Sequence, residues 1–147
     1  MAYGYSTTLT ENSAKAVGLS LPISTKQSIM ICNVLRGKPV TKAKHLLEEV
    51  MKQKRAIPFT RFNRDTGHKP GMAAGQYPIT AAAIILKLLK SAEANAQFKG
   101  LSTANLQVRH ISAQKGPTTA RAGRRRTQAK RTHIEIVLEE KKQEAKA

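Results

Sequence analysis

The feature that most constrains this chain is a run of cations between two segments with the pattern of β-strands. The run, 115–131, holds seven Lys and Arg, and no acid lies between Glu93 and Glu135. A solvated surface mixes both signs to limit repulsion, so an acid-free run indicates a segment that faces a polyanion. The flanking segments, 106–113 and 132–138, predict a basic β-hairpin that a small core cannot bury and that must therefore project into a partner.

The two flanking segments differ in their patterns. Ile134, Ile136 and Leu138 alternate as expected for a half-buried strand. In the first segment the apolar spacing from Val108 to Ile111 is odd, which predicts a β-bulge or a twist. Two interpretations of the connecting run stay open, a paired hairpin and a disordered basic loop, and the Gly-Pro pair at 116–117 favours local order.

The charge balance points to nucleic acid. The chain has 147 residues, with 26 Lys and Arg against 9 Asp and Glu, a formal charge of +17. Cations that replace condensed counterions gain affinity for a polyphosphate, and the arginine fork binds phosphate bidentately. An anionic membrane surface is the competing partner, but it calls for a basic amphipathic helix, and the densest basic run is a poor helix candidate.

Other features exclude several classes of protein. Cys32 is the single cysteine, so no intrachain disulfide forms, and the N-terminal residues lack the pattern of a signal peptide. No apolar run is long enough to span a membrane, so we expect a cytoplasmic protein without membrane insertion. The length predicts a single domain over 1–147 that ends in a charged tail, 140–147.

Three helices and a first strand are predicted before the basic run. Weak alternation at 13–20 predicts the strand, a capping box at 24–27 opens the first helix and Gly37 ends it. Pro39 opens the second helix, and Pro78 opens the third, which Gly100 ends. The apolar positions of the second and third helices repeat at helical spacing: Val40, Ala43, Leu46, Leu47 and Val50, then Ala81, Ile84, Ile85, Leu88, Leu89, Ala92 and Ala96.

The segment 54–77 interrupts this helical pattern. Its prolines and glycines predict irregular structure, and loops of this length in compact domains are usually functional or disordered. It mixes cations with rings: Arg55, Arg61, Arg64 and Lys69 with Phe59, Phe62, His68 and Tyr77. Two interpretations are open and compatible: cations and rings that contact RNA, or rings that pack on the core.

Catalysis and metal binding are poorly supported, so we predict no enzymatic activity, no metal and no cofactor. Cys32 lies in a helical pattern and is expected to be a small buried hydrophobe. The four histidines have no ligand spacing, and the adjacent Glu48 and Glu49 point to different sides of a helix. An RNA-modifying enzyme would need a cofactor loop or an acid–base pair, and 71–75 lacks the Lys-Ser/Thr of a phosphate-binding loop.

The most direct prediction is therefore an RNA-binding protein whose cations contact mostly phosphate and sugar. An architectural DNA-binding protein is the rival. The arms of such proteins usually carry apolar wedges, whereas the only apolar side chains in 116–130 are alanines and Pro117. The predicted RNA contacts are Arg109, Lys115, Arg121, Arg124, Arg125, Arg126, Lys130 and Arg131, with Arg55, Arg61, Arg64, His68 and Lys69 from the loop.

Short stretches in a particular order carry a family resemblance. They are LPIS at 21–24, ICNVLRGKP at 31–39, IPFTRFN at 57–63, GHKPG at 67–71, QYP at 76–78, ILKLL at 85–89, ANA at 94–96, KGL at 99–101 and THIEIVLEE at 132–140. Together they resemble the L22 family of large-subunit ribosomal proteins, called L17 in eukaryotes, in its archaeal form.

The resemblance implies a small α+β domain with three helices packed on a three-stranded antiparallel sheet, and with a long protruding basic hairpin at about 106–138. It implies a structural constituent of the large ribosomal subunit that binds its rRNA, aids assembly and sends the hairpin inward to the peptide exit tunnel. The partners implied are rRNA, other large-subunit proteins and the nascent polypeptide, with one copy per ribosome. The tunnel-proximal tip would be Thr118, Thr119, Ala120, Arg121, Ala122 and Gly123.

The tip departs from the family pattern. Arg121-Ala-Gly-Arg124 is one residue shorter than the run that is usual there, and 116–121 lacks bulky apolar residues typical of the family. We therefore expect a hairpin shorter by about three residues per arm, or roughly 10 Å of reach at the rise of a strand.

Overall fold

The structure is a computed structural model that describes residues 3–124 and 126–141. It has three helices, α1 (Thr25–Leu35), α2 (Val40–Met51) and α3 (Ile79–Phe98), and a short 3-10 turn at Thr103–Asn105. The strands are β1 (Ser13–Leu21), β2 (Ile57–Pro58), β3 (His68–Lys69), β4 (Ala73–Gln76), β5 (Leu106–Lys115), β6 (Thr119–Ala120), β7 (Gln128–Ala129) and β8 (Thr132–Glu140). The predicted α+β class is confirmed.

The main sheet has the antiparallel order β1-β8-β5, so the strand after the basic run lies in the middle. Its alternate residues Ile134, Ile136 and Leu138 are fully buried against the helices. The register of β5 against β8 shifts between Val108 and His110, which is the bulge that the odd spacing predicted.

The helices pack on one face of this sheet and enclose the core. The five apolar positions predicted for α2 are all buried, and Gly37 ends α1 with a φ of +76°. The amide of Gly37 donates to the carbonyl of Val108 at 2.8 Å, which ties the end of α1 to β5. In α1 the buried positions are Ser28, Met30, Ile31, Cys32 and Leu35.

The segment 54–77 is more regular than predicted. Its short strands form a second sheet in the order β2-β4-β3, so the prediction of irregular structure throughout was wrong. Pro58 fits because it lies on an edge strand, where the missing N–H does not interrupt a central ladder. Gly71 and Ala73, with φ values of +74° and +58°, make the tight turn that joins β3 to β4.

The N-terminal segment crosses the face of the sheet opposite the helices, where Ser6 and Thr10 contact Glu135 and Glu139. Glu135 points to this face and is buried, and its carboxylate accepts hydrogen bonds from the amide and hydroxyl of Ser6. His110 Nε2 lies 2.9 Å from the same carboxylate. Burial raises the pKa of Glu135, but the hydrogen bonds from Ser6 and His110 outweigh it and hold the pKa below its ordinary value.

Within residues 3–124 and 126–141, none of the helices is long and apolar enough to cross a membrane.

Candidate nucleic-acid interface

The basic run forms a hairpin arm that extends beyond the main sheet. The main ladder ends where the amide of Gly116 donates to the carbonyl of Arg131 at 2.8 Å. Pairing resumes with Thr119 opposite Ala129, and the amide of Arg121 donates to the carbonyl of Thr127. The ladder is therefore interrupted around Pro117, and the arm is not the fully paired ribbon that strand rise alone would allow.

The predicted tunnel-proximal tip lies at the end of this arm. Thr118 donates its hydroxyl to Gln128 Oε1 at 3.0 Å, and Gly123 turns the chain with a φ of +107°. All six tip residues, together with Arg124 and Arg126, are exposed to solvent, while Arg125 lies outside the described residues. From Lys115 to Gly123 the arm would reach about 25 Å at the rise of a strand.

Two clefts flank the point where the hairpin leaves the sheet. The first, called here the helix-side cleft, has a volume of about 630 Å³ and lies between the arm and the first turns of α1 and α3. The second, the loop-side cleft, has about 450 Å³ and lies between α1, Asn63 and the arm. Arg121, Lys130 and Arg131 line the first, and Lys26, Lys115, Lys130 and Arg131 line the second.

These clefts are acid-free in the part of the chain that the structure describes, since neither has an Asp or Glu in its lining. Four of the predicted RNA contacts (Lys115, Arg121, Lys130 and Arg131) thus come together around the hairpin root, defined as Lys115–Gly116 and Lys130–Thr132. Concentrated positive charge in concave, low-dielectric walls focuses the field and attracts polyanions.

The first turn of α1 differs from its prediction. Ser24 is the N-cap, but no described side chain caps the helix, so the predicted capping box between Ser24 and Gln27 was wrong. The Ser24 carbonyl instead accepts the amide and hydroxyl of Ser28. Gln27 lines both clefts, and the amides of the first turn keep the donor capacity that a capping box would have used.

The rings of the loop pack on the body while cations cover their outer faces. Phe59 is buried in the core, and the partly buried Phe62 has Arg61 at 5.2 Å and Lys26 at 5.9 Å from its ring centre. Lys69 lies 5.5 Å from the ring centre of Tyr77. Phe59 and Phe62 therefore pack on the core, as one of the two open interpretations predicted, while contact of this loop with RNA stays a prediction.

The other predicted contacts lie apart from the clefts. Arg109 is at the opposite end of β5, where it forms an ion pair with Glu139 at 2.7 Å. Arg55 lies 3.7 Å from Glu49, and Arg64 donates to the carbonyl of Thr60. His68 is exposed in β3. Of these, Arg109 and Arg55 have their charge partly neutralised within the protein.

Comparison with known proteins decides the family. The family described as ribosomal protein L22p/L17e matches residues 16–139. Three similar relatives carry the name large ribosomal subunit protein uL22. The one from Archaeoglobus fulgidus is 44% identical over 78% of this chain and 76% of its own, and that from Methanosphaera stadtmanae is 42% identical over 94% and 96%. The Ignicoccus hospitalis relative is 40% identical over 88% of this chain and 89% of its own.

The chain belongs to the ribosomal L22p/L17e family. The resemblance read from short stretches of sequence is thereby confirmed, including its archaeal character, since these relatives come from archaea.

Sequence reasoning missed some residues that line the candidate interface. Lys26 was treated as part of a helix start, although it reaches both the Phe62 ring and the loop-side cleft. Thr25 and Thr132 are joined through their hydroxyl oxygens at 2.8 Å. Their 107-residue separation leaves no local pattern that would reveal this contact.

Two further features of the chain concern chemistry outside the interface. Cys32 is buried as predicted, and burial raises the pKa of its thiol to about 12, so the thiolate is scarce at neutral pH. Among the described residues, no group of three or more His, Cys, Asp or Glu is placed to hold a metal ion.

Proposed function

We propose that this protein is a structural, non-enzymatic constituent of the large ribosomal subunit that binds large-subunit rRNA and aids assembly. In this proposal residues 1–147 act as one domain in a single copy per cytoplasmic ribosome. The domain contacts other large-subunit proteins, and the basic hairpin runs inward to the peptide exit tunnel, where the tip forms part of the wall beside the nascent polypeptide.

The observation that carries the proposal is the separation of charge along the hairpin. Three of the acids, Glu135, Glu139 and Glu140, lie on β8 in the body, and Glu135 and Glu139 there contact His110 and Arg109. Beyond Gly116 the described part of the arm carries cations and no acid. Such an arm gains little from folding by itself and much from displacing the counterions of RNA.

Family membership supports the same assignment, because the relatives are named as proteins of the large ribosomal subunit. The shorter tip bears only on the tunnel wall. The root cations Lys115, Lys130 and Arg131 lie outside the tip, so binding of rRNA through them does not depend on the tip's reach.

A titration at several salt concentrations tests the proposal. The full chain is mixed with a large-subunit rRNA fragment, with a duplex DNA of equal length as the competitor. We expect affinity for the rRNA to fall steeply with salt, with a log–log slope of about −0.7 to −0.9 for each phosphate neutralised. A flat salt dependence, or equal binding to the DNA, would overturn the proposal.

A further inference from the structure

The hairpin root is clamped to α1 by a buried side chain. Thr132 is fully buried, and its hydroxyl donates to the carbonyl of Ile23 at 2.9 Å. Because that bond uses the only proton of the hydroxyl, Thr25 must donate in the 2.8 Å contact between the two threonine oxygens. The strand residue that follows Lys130 and Arg131 is thus attached to the first turn of α1.

The other strand of the root packs closely against the Thr132 strand at Gly116. A side chain at Gly116 would place its Cβ 3.2 Å from the carbonyl carbon of Arg131 and 3.1 Å from Nε2 of His133. The backbones therefore approach at this point in a way that a larger residue would strain. One strand of the root is thus attached to α1 and the other packs closely against it, in contrast to the exposed arm beyond.

This rigid root lies between the two acid-free clefts. Lys130 and Arg131 line both, while Arg121 is on the helix side and Lys26 and Lys115 are on the loop side. Cationic side chains therefore lie on both sides of the Lys130–Arg131 dipeptide. The arrangement suits a chain of regularly spaced anions better than a single ion, because both clefts present cations at the same time.

We infer that the hairpin root is a preorganised binding site for the sugar–phosphate backbone of one RNA strand, which crosses the Lys130–Arg131 step and places phosphates in both clefts. The inference rests on the proposed function and specifies where geometry, rather than net charge, contributes to it. Thr25 and Thr132 act as positioning residues, since both hydroxyl protons are used within the clamp, although Thr25 also lines the loop-side cleft. The amides of the first turn of α1 supply further donors at the rim.

A charge-matched pair of variants tests the inference. In the full chain, Lys130→Gln with Arg131→Gln removes two cations from the root, and Lys87→Gln with Lys90→Gln removes two from the exposed side of α3. For the root variant we expect the log–log salt slope for a large-subunit rRNA fragment to fall by about 1.4–1.8, and the affinity near 0.1 M salt to fall on the order of 30-fold. For the α3 variant we expect a change of less than about threefold.

The outcomes separate the inference from the proposed function. Equal losses in both variants would mean that binding follows net charge, which overturns the inference and leaves rRNA binding intact. Failure of the wild-type protein to bind the fragment would overturn the proposed function itself.

The threonine clamp provides a second readout that charge does not affect. Thr25→Ala removes the hydroxyl that bonds Thr132, whereas Thr25→Ser keeps it. We expect Thr25→Ala to weaken binding about fivefold or more and Thr25→Ser to restore it, with unchanged circular dichroism in both. In amide NMR spectra, added rRNA fragment should shift the signals of Lys26 and Gln27. If Thr25→Ala binds like the wild type and these signals do not move, the root is not preorganised and the inference fails.

Discussion

The two halves of the hairpin, the root half of β5 and β8 and the outer half of β6 and β7, are both antiparallel ladders but differ in what stabilises them. In the root half, β5 and β8 pair from Leu106 to Lys115 and bury Val108, Ile111 and Ile136 completely. In the outer half, β6 and β7 form a ladder of two residue pairs that buries no described side chain. A two-stranded ribbon without an apolar face is marginal in water, so pairing is stable only where the core supports it.

The same halves differ in their electrostatics. Acids on the root half contact nearby cations and an imidazole, whereas the arm carries cations without acids over its described residues. The difference indicates a division of labour: the buried residues of β5 and β8 contribute stability, and the cations of the hairpin root and of the arm contribute affinity. Substitutions of the buried strand residues should then change stability, and substitutions of the exposed cations should change affinity.

The largest expected effect is on stability and is confined to the root half. Ile136→Ala removes a fully buried side chain from the central strand and should lower the free energy of unfolding by about 2–5 kcal/mol. Urea unfolding measures this loss. Thr119→Ala, in the exposed outer half, should change the same quantity by less than about 0.5 kcal/mol. Comparable losses in both would show that the arm is part of the cooperative fold.

The next largest effect is on RNA affinity and comes from the exposed cations of the arm. Replacing Arg121, Arg124 and Arg126 together by Gln should reduce the salt slope for rRNA binding by about 2–3, or roughly a hundredfold or more in affinity near 0.1 M salt. Unfolding in urea should be unchanged, because the three side chains are exposed.

The control for this variant removes the same charge from the helices. Lys42, Lys87 and Lys90 are exposed on α2 and α3, and their replacement by Gln should alter the slope by less than about 1. If the helix variant loses as much affinity as the arm variant, the assignment of affinity to the arm is wrong.

A smaller effect on stability comes from the buried carboxylate beneath the N-terminal segment. Glu135→Gln should cost about 1–3 kcal/mol, since the donors from Ser6 and His110 lose a charged acceptor. Glu139→Gln, whose partner Arg109 is partly exposed, should cost at most about 1 kcal/mol.

The loss at Glu135 should depend on pH in a defined direction. Because the folded-state pKa lies below the ordinary value of 4.5, the carboxylate contributes its stability fully above that value. The advantage of the wild type over Glu135→Gln should shrink as the pH falls through the folded-state pKa. Stability curves collected at neutral and acidic pH check this, and a difference that grows on acidification would contradict it.

The smallest effect concerns the cation-covered ring of the loop. Phe62→Leu keeps apolar packing but removes the π-face under Arg61 and Lys26, and should cost about 0.5–1 kcal/mol in thermal unfolding. Phe98→Leu is the control, because Phe98 is 95% exposed and should have no measurable effect. Equal effects would mean that the cations contribute nothing at Phe62.

Local periodicity predicted the elements that packing stabilises. The stripe of α2 and the bulge near Val108 followed directly from spacing, because burial selects the same positions that the pattern shows. The small sheet in 54–77 was missed because strands of two to four residues leave too little alternation to detect. The capping box failed because Gln27 turns to the clefts and not back to the helix start.

The candidate site was predictable in composition but not in assembly. The cations of 115–131 were evident from charge alone, and their role as RNA contacts stays a prediction. The clamp between Thr25 and Thr132 and the anchoring of Ser6 by Glu135 depend on contacts across more than a hundred residues. Glu135 reads in the sequence as an outward polar residue, because nothing local shows that the N-terminal segment covers it.

The most direct test of the account is a density map of the intact large ribosomal subunit that contains this chain. We predict that the hairpin root and arm lie against rRNA backbone, with Lys130 and Arg131 beside phosphates and Gly123 directed to the peptide exit tunnel. A map in which the helices face the rRNA while the arm lies in solvent, away from RNA and tunnel, would contradict the central claim.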